Sequence, residues 1–301
     1  MKDLSIVIVT WNVRDLLAQC LASVYAYPPA GEFEVFVVDN ASSDGSAEMA
    51  QERFPQVDLI RNPRNAGFAR ANNVGLRASS GRYVLLLNPD TEILPGAVQT
   101  LLDFADGHPE AGAAGPMILN PDLTIQSSCN PMPTLWREFW RLMCLDRFLA
   151  QSIYHEEKWD TGVAHPVKVI QGNCLLVGRE ALSDVGLLDE TYFMFTEEVD
   201  FCYRLLQRGW GIYWVPMARI IHYGGQSTRQ VPGKMFIELY RSKVAFFRKT
   251  RGKWGSVVYK LLLFATALTR LPWGIGCAGK GEQAAQRRQS YLDLLRVLPY
   301  L

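Results

Sequence analysis

The chain has 301 residues, of which 49% are hydrophobic and 20% charged. These values place it among ordinary globular proteins and exclude a disordered or fibrous chain, and the length allows one large domain with an appendage. The net charge of +1 hides an asymmetry, +11 from Ile221 onward and −10 before it, so the tail is expected to meet something anionic.

The chain opens on the β-branched run Leu4-Ser5-Ile6-Val7-Ile8-Val9-Thr10, a strand closed by Trp11-Asn12. Helical spacing follows over 15–25, with Leu16, Leu17, Cys20, Leu21 and Val24 on one face. A second strand, Phe33 to Val38, runs into Asp39-Asn40. The polar turn Ala41 to Ser46 leads into a helix over 47–54. Val57 to Ile60 reads as a short strand, Asn62 to Gly67 as a loop, and Phe68 to Ala78 as a helix. Tyr83-Val84-Leu85-Leu86-Leu87 then enters Asn88-Pro89-Asp90. An unbroken apolar run of this kind reads as a strand buried on both faces. The alternation predicts a parallel, right-handed α/β sheet, whose ligands bind beyond the carboxyl ends of the strands. Asp90 is then delivered to the ligand edge, where a carboxylate suits a divalent cation that also holds a phosphate. The plainer alternative is a strand-ending turn. The turn after the first strand lacks Gly-x-Gly-x-x-Gly, which argues against NAD or FAD, and no phosphate-loop lysine motif occurs.

Ser5 to Asn12, Val38 to Ser46, Asn65 to Asn73 and Leu87-Asn88-Pro89-Asp90-Thr91 occur in this order. Together they resemble the family 2 glycosyltransferases, and among them the bacterial rhamnosyltransferase-like branch. The likeness extends to about Thr228. It implies the GT-A fold: α/β, with a mostly parallel central sheet, helices on both faces and a C-terminal helical tail. It also implies a nucleotide-diphosphate sugar as donor. By the resemblance, Asp39 meets the pyrimidine base, Thr10 and Asn12 wall that pocket, and Asn65, Gly67 and Asn73 form a loop against nucleotide and sugar. Asn88 and Asp90 stand at the family's Asp-x-Asp signature, with Asp90 as the metal-binding member for Mg²⁺ or Mn²⁺. Asn88 departs from the acid usual there.

Downstream, a helix is expected over 92–105 and a short strand over 112–118. Leu135 to Leu149 has amphipathic spacing, read either as an acceptor-side or membrane-facing lid or as a packed surface helix. Val167 to Val177 resembles the family's central strand pair, with Gly172 and Asn173 as candidate donor contacts; the plain reading of Gly172 is a bulge. Glu197, Glu198 and Asp200 begin a helix. Acids are favoured there by the macrodipole, yet three exceed what capping needs. Inverting transfer needs one base, and the resemblance puts Glu198 in that place. Glu197 is the fallback, and Asp200 orients the site or contacts the acceptor. His222, beside Gly224-Gly225, matches the family's closing His-x-Gly-Gly-x-Ser segment and is a candidate for metal or diphosphate binding.

In the tail, Phe236 to Arg248 reads as a helix, 248–254 as a basic cluster and 257–273 as an apolar helix too short to span a membrane. Between Trp254 and Trp273 it suits an anionic membrane interface, with packing on the protein or a homodimer as alternatives. No nucleic-acid-binding module accompanies the cations. The expected division is a catalytic domain over 1–230 (donor half 1–115, acceptor and base half 116–230) and a tail over 231–301. Six cysteines without paired spacing fit a reducing compartment. With no leader ahead of the first strand, the expected place is the cytoplasm, peripheral on the inner face of the plasma membrane. The acceptor implied is a glycan or a polyprenyl-diphosphate-linked sugar. A UDP-hexose donor is the alternative within the family. A nucleotidyltransferase lacks its Gly-rich basic first loop here, and a non-catalytic sugar-binding module does not account for the retained acids.

Overall fold

The structure, a computed structural model, describes residues 2–148, 152–226, 230–271 and 282–301. It divides into two compact units: Met1–Pro131 with Tyr154–Phe193 and Glu197–Arg229, and Met132–Ile153 with Met194–Thr196 and Gln230–Leu301.

The first unit begins with β1 (Leu4–Thr10), α1 (Arg14–Ala26), β2 (Phe33–Asp39), α2 (Ser46–Arg53), β3 (Asp58–Arg61), α3 (Phe68–Ala78) and β4 (Tyr83–Leu87). It continues with β5 (Thr91–Ile93), α4 (Ala97–Gly107), β6 (Ala111–Leu119), β7 (Ile125–Gln126) and β8 (Cys129–Asn130). After α5 (Leu135–Leu142) of the second unit come β9 (His165–Pro166), β10 (Val169–Ile170), β11 (Cys174–Gly178), α6 (Arg179–Val185), α7 (Glu197–Gln207) and β12 (Gly211–His222). The main sheet has the order β3-β2-β1-β4-β11-β6-β12-β5. β1 to β4 pair in parallel, as do β6 and β12, while β11 and β5 run against their neighbours. A separate two-stranded ladder joins β10 to β8.

The period-two alternation of β1 explains how both faces are covered. Leu4, Ile6 and Ile8 join Leu17, Leu21, Met49 and Leu101 in one core. Val9 faces the other way, with Val38 and Ala71 of α3. There Gly75 lets α3 approach closely: a Cβ on it would run into the Val7 side chain.

One expectation needs correction. The helix expected from Glu92 starts only at Ala97; Thr91–Ile93 is a strand, because Ile93, Glu92 and Thr91 pair with Ile220, Ile221 and His222. The strand expected over 112–118 runs from Ala111 to Leu119 and keeps Pro116 inside it. Pro116 lies opposite Val215, where β12 shifts register before Arg219, so the missing N–H coincides with an irregularity of the ladder.

The second unit contains α5, α8 (Pro232–Arg270, broken at Gly252 with φ 69° and ψ −170°) and α9 (Glu282–Val297). α5 starts at Thr134, whose side chain accepts from the Arg137 N–H, and it stops before Cys144, which is left-handed. Leu149, the last residue of the segment expected to be amphipathic, and Trp273 lie outside the described residues. Among the described residues no helix is long and apolar enough to cross a membrane.

Glu138 is buried in this unit. Its carboxylate accepts from Arg141 (2.7 Å), Lys243 (2.8 Å) and the Tyr259 hydroxyl (3.0 Å). Burial alone would push this carboxyl up; Lys243 and Arg141 overrule it and bring it down to about 2. A depressed carboxyl adds stability above its unfolded pKa and loses it as pH falls through the folded value. Glu138→Gln is therefore expected to cost about 3 kcal/mol at pH 7 by leaving two half-buried cations short of a partner. The gap to the parent should close as pH falls from 4.5 towards 2, which denaturant melts across that range check.

Candidate active site

Of the residues expected to meet a donor, Thr10, Asp39, Asn88 and Asp90 lie at or just beyond the carboxyl ends of β1, β2 and β4. Thr10 and Asp39 are side by side in the parallel register of β1 and β2, and both are buried. Among the described residues the Thr10 hydroxyl has no hydrogen-bond partner. Asp39 accepts from the Ser42 N–H at 3.3 Å. Asn12 is left-handed (φ 51°); its side-chain oxygen accepts from the Ser43 N–H at 2.7 Å and its own N–H donates to the Ser42 hydroxyl. It thus holds the turn after β2 in shape.

Asn40 is the hub of the next loop, and the sequence reading did not single it out. Its side-chain oxygen accepts from the Ala66 N–H and the Asn62 amide, and its nitrogen donates to Asn65 Oδ1 and the Gly67 carbonyl. Asn65 in turn accepts from the Gly67 N–H. Gly67 has φ 86°, and a Cβ there would fall on the Phe193 carbonyl, with the Phe193 ring carbon at 2.8 Å. The Phe68 N–H donates to that same carbonyl at 2.7 Å. Gly67→Ala must break this approach as well as adopt a strained backbone. A loss of about 2–4 kcal/mol is expected, read as a lowered melting temperature.

Asn73 does not present its amide to a ligand as expected. It is buried, accepts from the Leu188 N–H, and donates to the Leu188 carbonyl and Glu190 Oε1. It ties α3 to the segment before α7, because its partners lie more than a hundred residues away in sequence.

Asp90 follows β4 and is 6% exposed. The pairing of Thr91 with His222 brings His222 Nε2 to 3.3 Å from Asp90 Oδ1. Gln126, another residue the sequence reading missed, sets the imidazole. Its nitrogen donates to the His222 carbonyl and to Asn120 Oδ1, which leaves its oxygen facing His222 Nδ1 at 2.6 Å. An acceptor there fixes the proton on Nδ1. Nε2 then turns a lone pair towards Asp90 with no hydrogen bond between them. A nitrogen and a carboxylate oxygen that converge without a shared proton fit a divalent cation, with the second ring nitrogen oriented from behind. Among the described residues no group of three His, Cys, Asp or Glu gathers to hold a metal alone. Oxygen ligands from diphosphate and water would complete the set. Ser227 and Thr228 of the closing segment lie outside the described residues.

The site continues from Asn88 to α7. The Asn88 N–H donates to the Asn173 carbonyl at 2.9 Å. Asn88 Oδ1 and Asn173 Nδ2 are buried without hydrogen-bond partners among the described residues. Gly172 lies against Glu198: a Cβ on it would sit in ordinary van der Waals contact with Glu198 Cβ, at 3.6 Å. Phe195 (φ 66°) and Thr196 (φ 73°) are successive left-handed residues just before α7. Such strain persists where the surroundings enforce it, and it clusters at functional sites. Glu197 is buried and Glu198 half-buried. Burial pushes the Glu197 carboxyl well above the ordinary range, and Glu198 beside it adds to the rise, the two sharing a hydrogen bond. Burial and the neighbouring carboxyl thus favour the neutral form of Glu197.

Asp200 is fully buried, so the expected contact with an acceptor is not available to it. It accepts from Arg204 Nε at 2.9 Å and from the Tyr192 hydroxyl at 3.4 Å. Arg204 also donates to the carbonyls of Val185 and Leu187. Asp200 therefore orients the start of α7 from behind.

Residues 5–151 match the family described as glycosyl transferase family 2. The chain is 32% identical over 270 residues to the N-acetylglucosaminyl-diphospho-decaprenol L-rhamnosyltransferase of Mycobacterium tuberculosis, covering 83% of this chain and 86% of the relative. Among solved structures, GalNAc-T7 with UDP, GalNAc and Mn²⁺ superposes with a TM-score of 0.60 at 17% identity, over all of this chain and 57% of that one. The mannosyltransferase PcManGT from Pyrobaculum calidifontis, in complex with GDP-Man and Mn²⁺, gives 0.58 at 18% identity, over 98% and 86%. These two likenesses identify the architecture as GT-A. A buried strand delivering Asp90 to His222, an acidic helix start across Gly172, and one-third identity to a rhamnosyltransferase over most of both chains agree, and the chain belongs to glycosyl transferase family 2 as a glycosyltransferase.

Proposed function

We propose that this enzyme transfers rhamnose, with inversion, from dTDP-rhamnose to a polyprenyl-diphosphate-linked sugar in cell-surface polysaccharide synthesis. The observation that carries the mechanism is one continuous arc. Asp90 with His222 stands at one end, the Asn88–Asn173 backbone bond in the middle, and Glu198 against Gly172 at the other. The acceptor hydroxyl oxygen attacks the anomeric carbon, the bond from that carbon to the diphosphate oxygen breaks, and its electron pair leaves with the diphosphate. Glu198 takes the hydroxyl proton as the new bond forms. Mg²⁺ or Mn²⁺ held by Asp90 and His222 would offset the charge of the departing diphosphate. Thr10 and Asp39 line the base pocket, and the unpartnered Thr10 hydroxyl and Asn88 oxygen suit ligand hydrogen bonds.

The donor and acceptor rest on the mycobacterial relative, whose name gives rhamnose as the sugar moved and a decaprenyl diphosphate as carrier. A carrier of this kind would hold the acceptor in a membrane, and the proposal sets the enzyme against its cytoplasmic face. The test is nucleotide release from dTDP-rhamnose, UDP-hexoses and GDP-mannose, with Mn²⁺ and a membrane lipid extract. Release of dTDP that depends on the lipid extract is expected. Turnover of a UDP-hexose alone would replace the donor.

A further inference from the structure

The second half of α8 is apolar on both sides, and only one side is buried. Ser256, Tyr259, Leu263, Thr266 and Ala267 point inward. Trp254, Val257, Val258, Leu261, Phe264 and Leu268 point outward, with Trp254 80% and Leu261 62% exposed. At 3.6 residues per turn these six fall within an arc of roughly 120° that holds no charged residue. Lys253 and Lys260 lie just beyond one edge of the arc. An exposed apolar stripe of this size on a soluble surface marks an interaction face.

Charge selects the partner. From Leu239 to Arg270 the chain carries eight Lys and Arg and no Asp or Glu. Arg248, Lys249, Arg251 and Lys253 are exposed and immediately precede Trp254. A second copy docking about a two-fold axis would set these cations against one another. An anionic lipid surface satisfies the stripe and the cations together. From Lys253 to Arg270 the helix is about 27 Å long at 1.5 Å per residue. With no described helix able to span, it fits the plane of the interface.

We propose that this face of α8 docks on an anionic bilayer, the six apolar side chains entering the headgroup boundary and the cations lying on the headgroups. The proposal deepens the membrane location above without resting on the identity of the donor or acceptor, so its failure would leave the transferase reading intact.

The test is flotation of the full chain with vesicles of phosphatidylglycerol and phosphatidylethanolamine in equal parts, against phosphatidylcholine alone. Binding to the anionic vesicles that weakens with salt is expected. The double variant Leu261→Glu, Phe264→Glu should lose binding while keeping its melting temperature, since both side chains are exposed. The triple variant Lys249→Gln, Arg251→Gln, Lys253→Gln should weaken binding roughly 100-fold. Brominated lipid should quench the parent more than Trp254→Phe, a readout that needs no destabilising change. Equal binding by parent and both charge variants would overturn the proposal. So would a dimer in sedimentation that the double variant dissociates, with no vesicle binding by the parent.

Discussion

Glu198→Gln is expected to lower kcat by roughly 10²–10⁴-fold with little change in donor affinity. The substitution keeps the shape of the side chain and removes only its capacity to accept a proton. Glu197→Gln is the discriminating partner, because the two acids have different surroundings. Glu197 is buried and held protonated, so an amide in its place preserves a neutral hydrogen-bonding group beside Glu198. Its activity should stay within about tenfold of the parent, whereas a Glu197 base would reverse the ranking. Stability gives a second, independent reading. In the unfolded chain Glu197 ionises above its ordinary value of 4.5, but in the folded chain it remains protonated. Folding stability therefore falls as pH rises above 4.5 towards the folded pKa. Glu197→Gln abolishes that loss, so the variant should melt with the parent at pH 4 and above it at pH 7 to 8.

Asp90→Asn is expected to cost about three orders of magnitude in kcat/KM and to remove the stabilisation of the protein by Mn²⁺ with nucleoside diphosphate. The side chain is nearly isosteric, and the bond from the Tyr223 N–H to the Asp90 carbonyl is untouched. The fold should therefore survive while the charge facing His222 is lost. Gln126→Leu tests the same site from behind. Freed of its acceptor at Nδ1, His222 can place its proton on Nε2, and Mn²⁺ affinity should fall about 10–100-fold. Calorimetry of Mn²⁺ and nucleotide on both variants reads this without turnover.

The parts of this fold legible in the sequence are those whose causes are local. The run from Tyr83 to Leu87, closed by Asn88-Pro89, reads as a doubly buried strand and is one, and β1, α3 and β4 begin or end close to where their residue patterns change. Glu92 and Ile93 read as the start of a helix because a three-residue strand shows no period, and their strand character comes from β12, more than a hundred residues later. The site divides in the same way. Asp90 and the acids of α7 stand in recognisable local contexts. Gln126, Asn40 and the engagement of Asn73 by Leu188 depend on contacts that no window of sequence contains. The basic cluster around Gly252 is visible as a change of composition between two helical stretches, and the chain does break there. Which side of the following helix faces out was not legible, because Tyr259 and Leu263 on one side are as apolar as Leu261 and Phe264 on the other.

The central claim is direct displacement at the anomeric carbon with Glu198 as base. The most direct test is the anomeric configuration of the transferred sugar, read by proton NMR on the product of the parent enzyme. The account predicts a configuration opposite to that of the donor, with product formed roughly 10²–10⁴-fold more slowly by Glu198→Gln under the same conditions. Retained configuration, or full turnover by that variant, would contradict it.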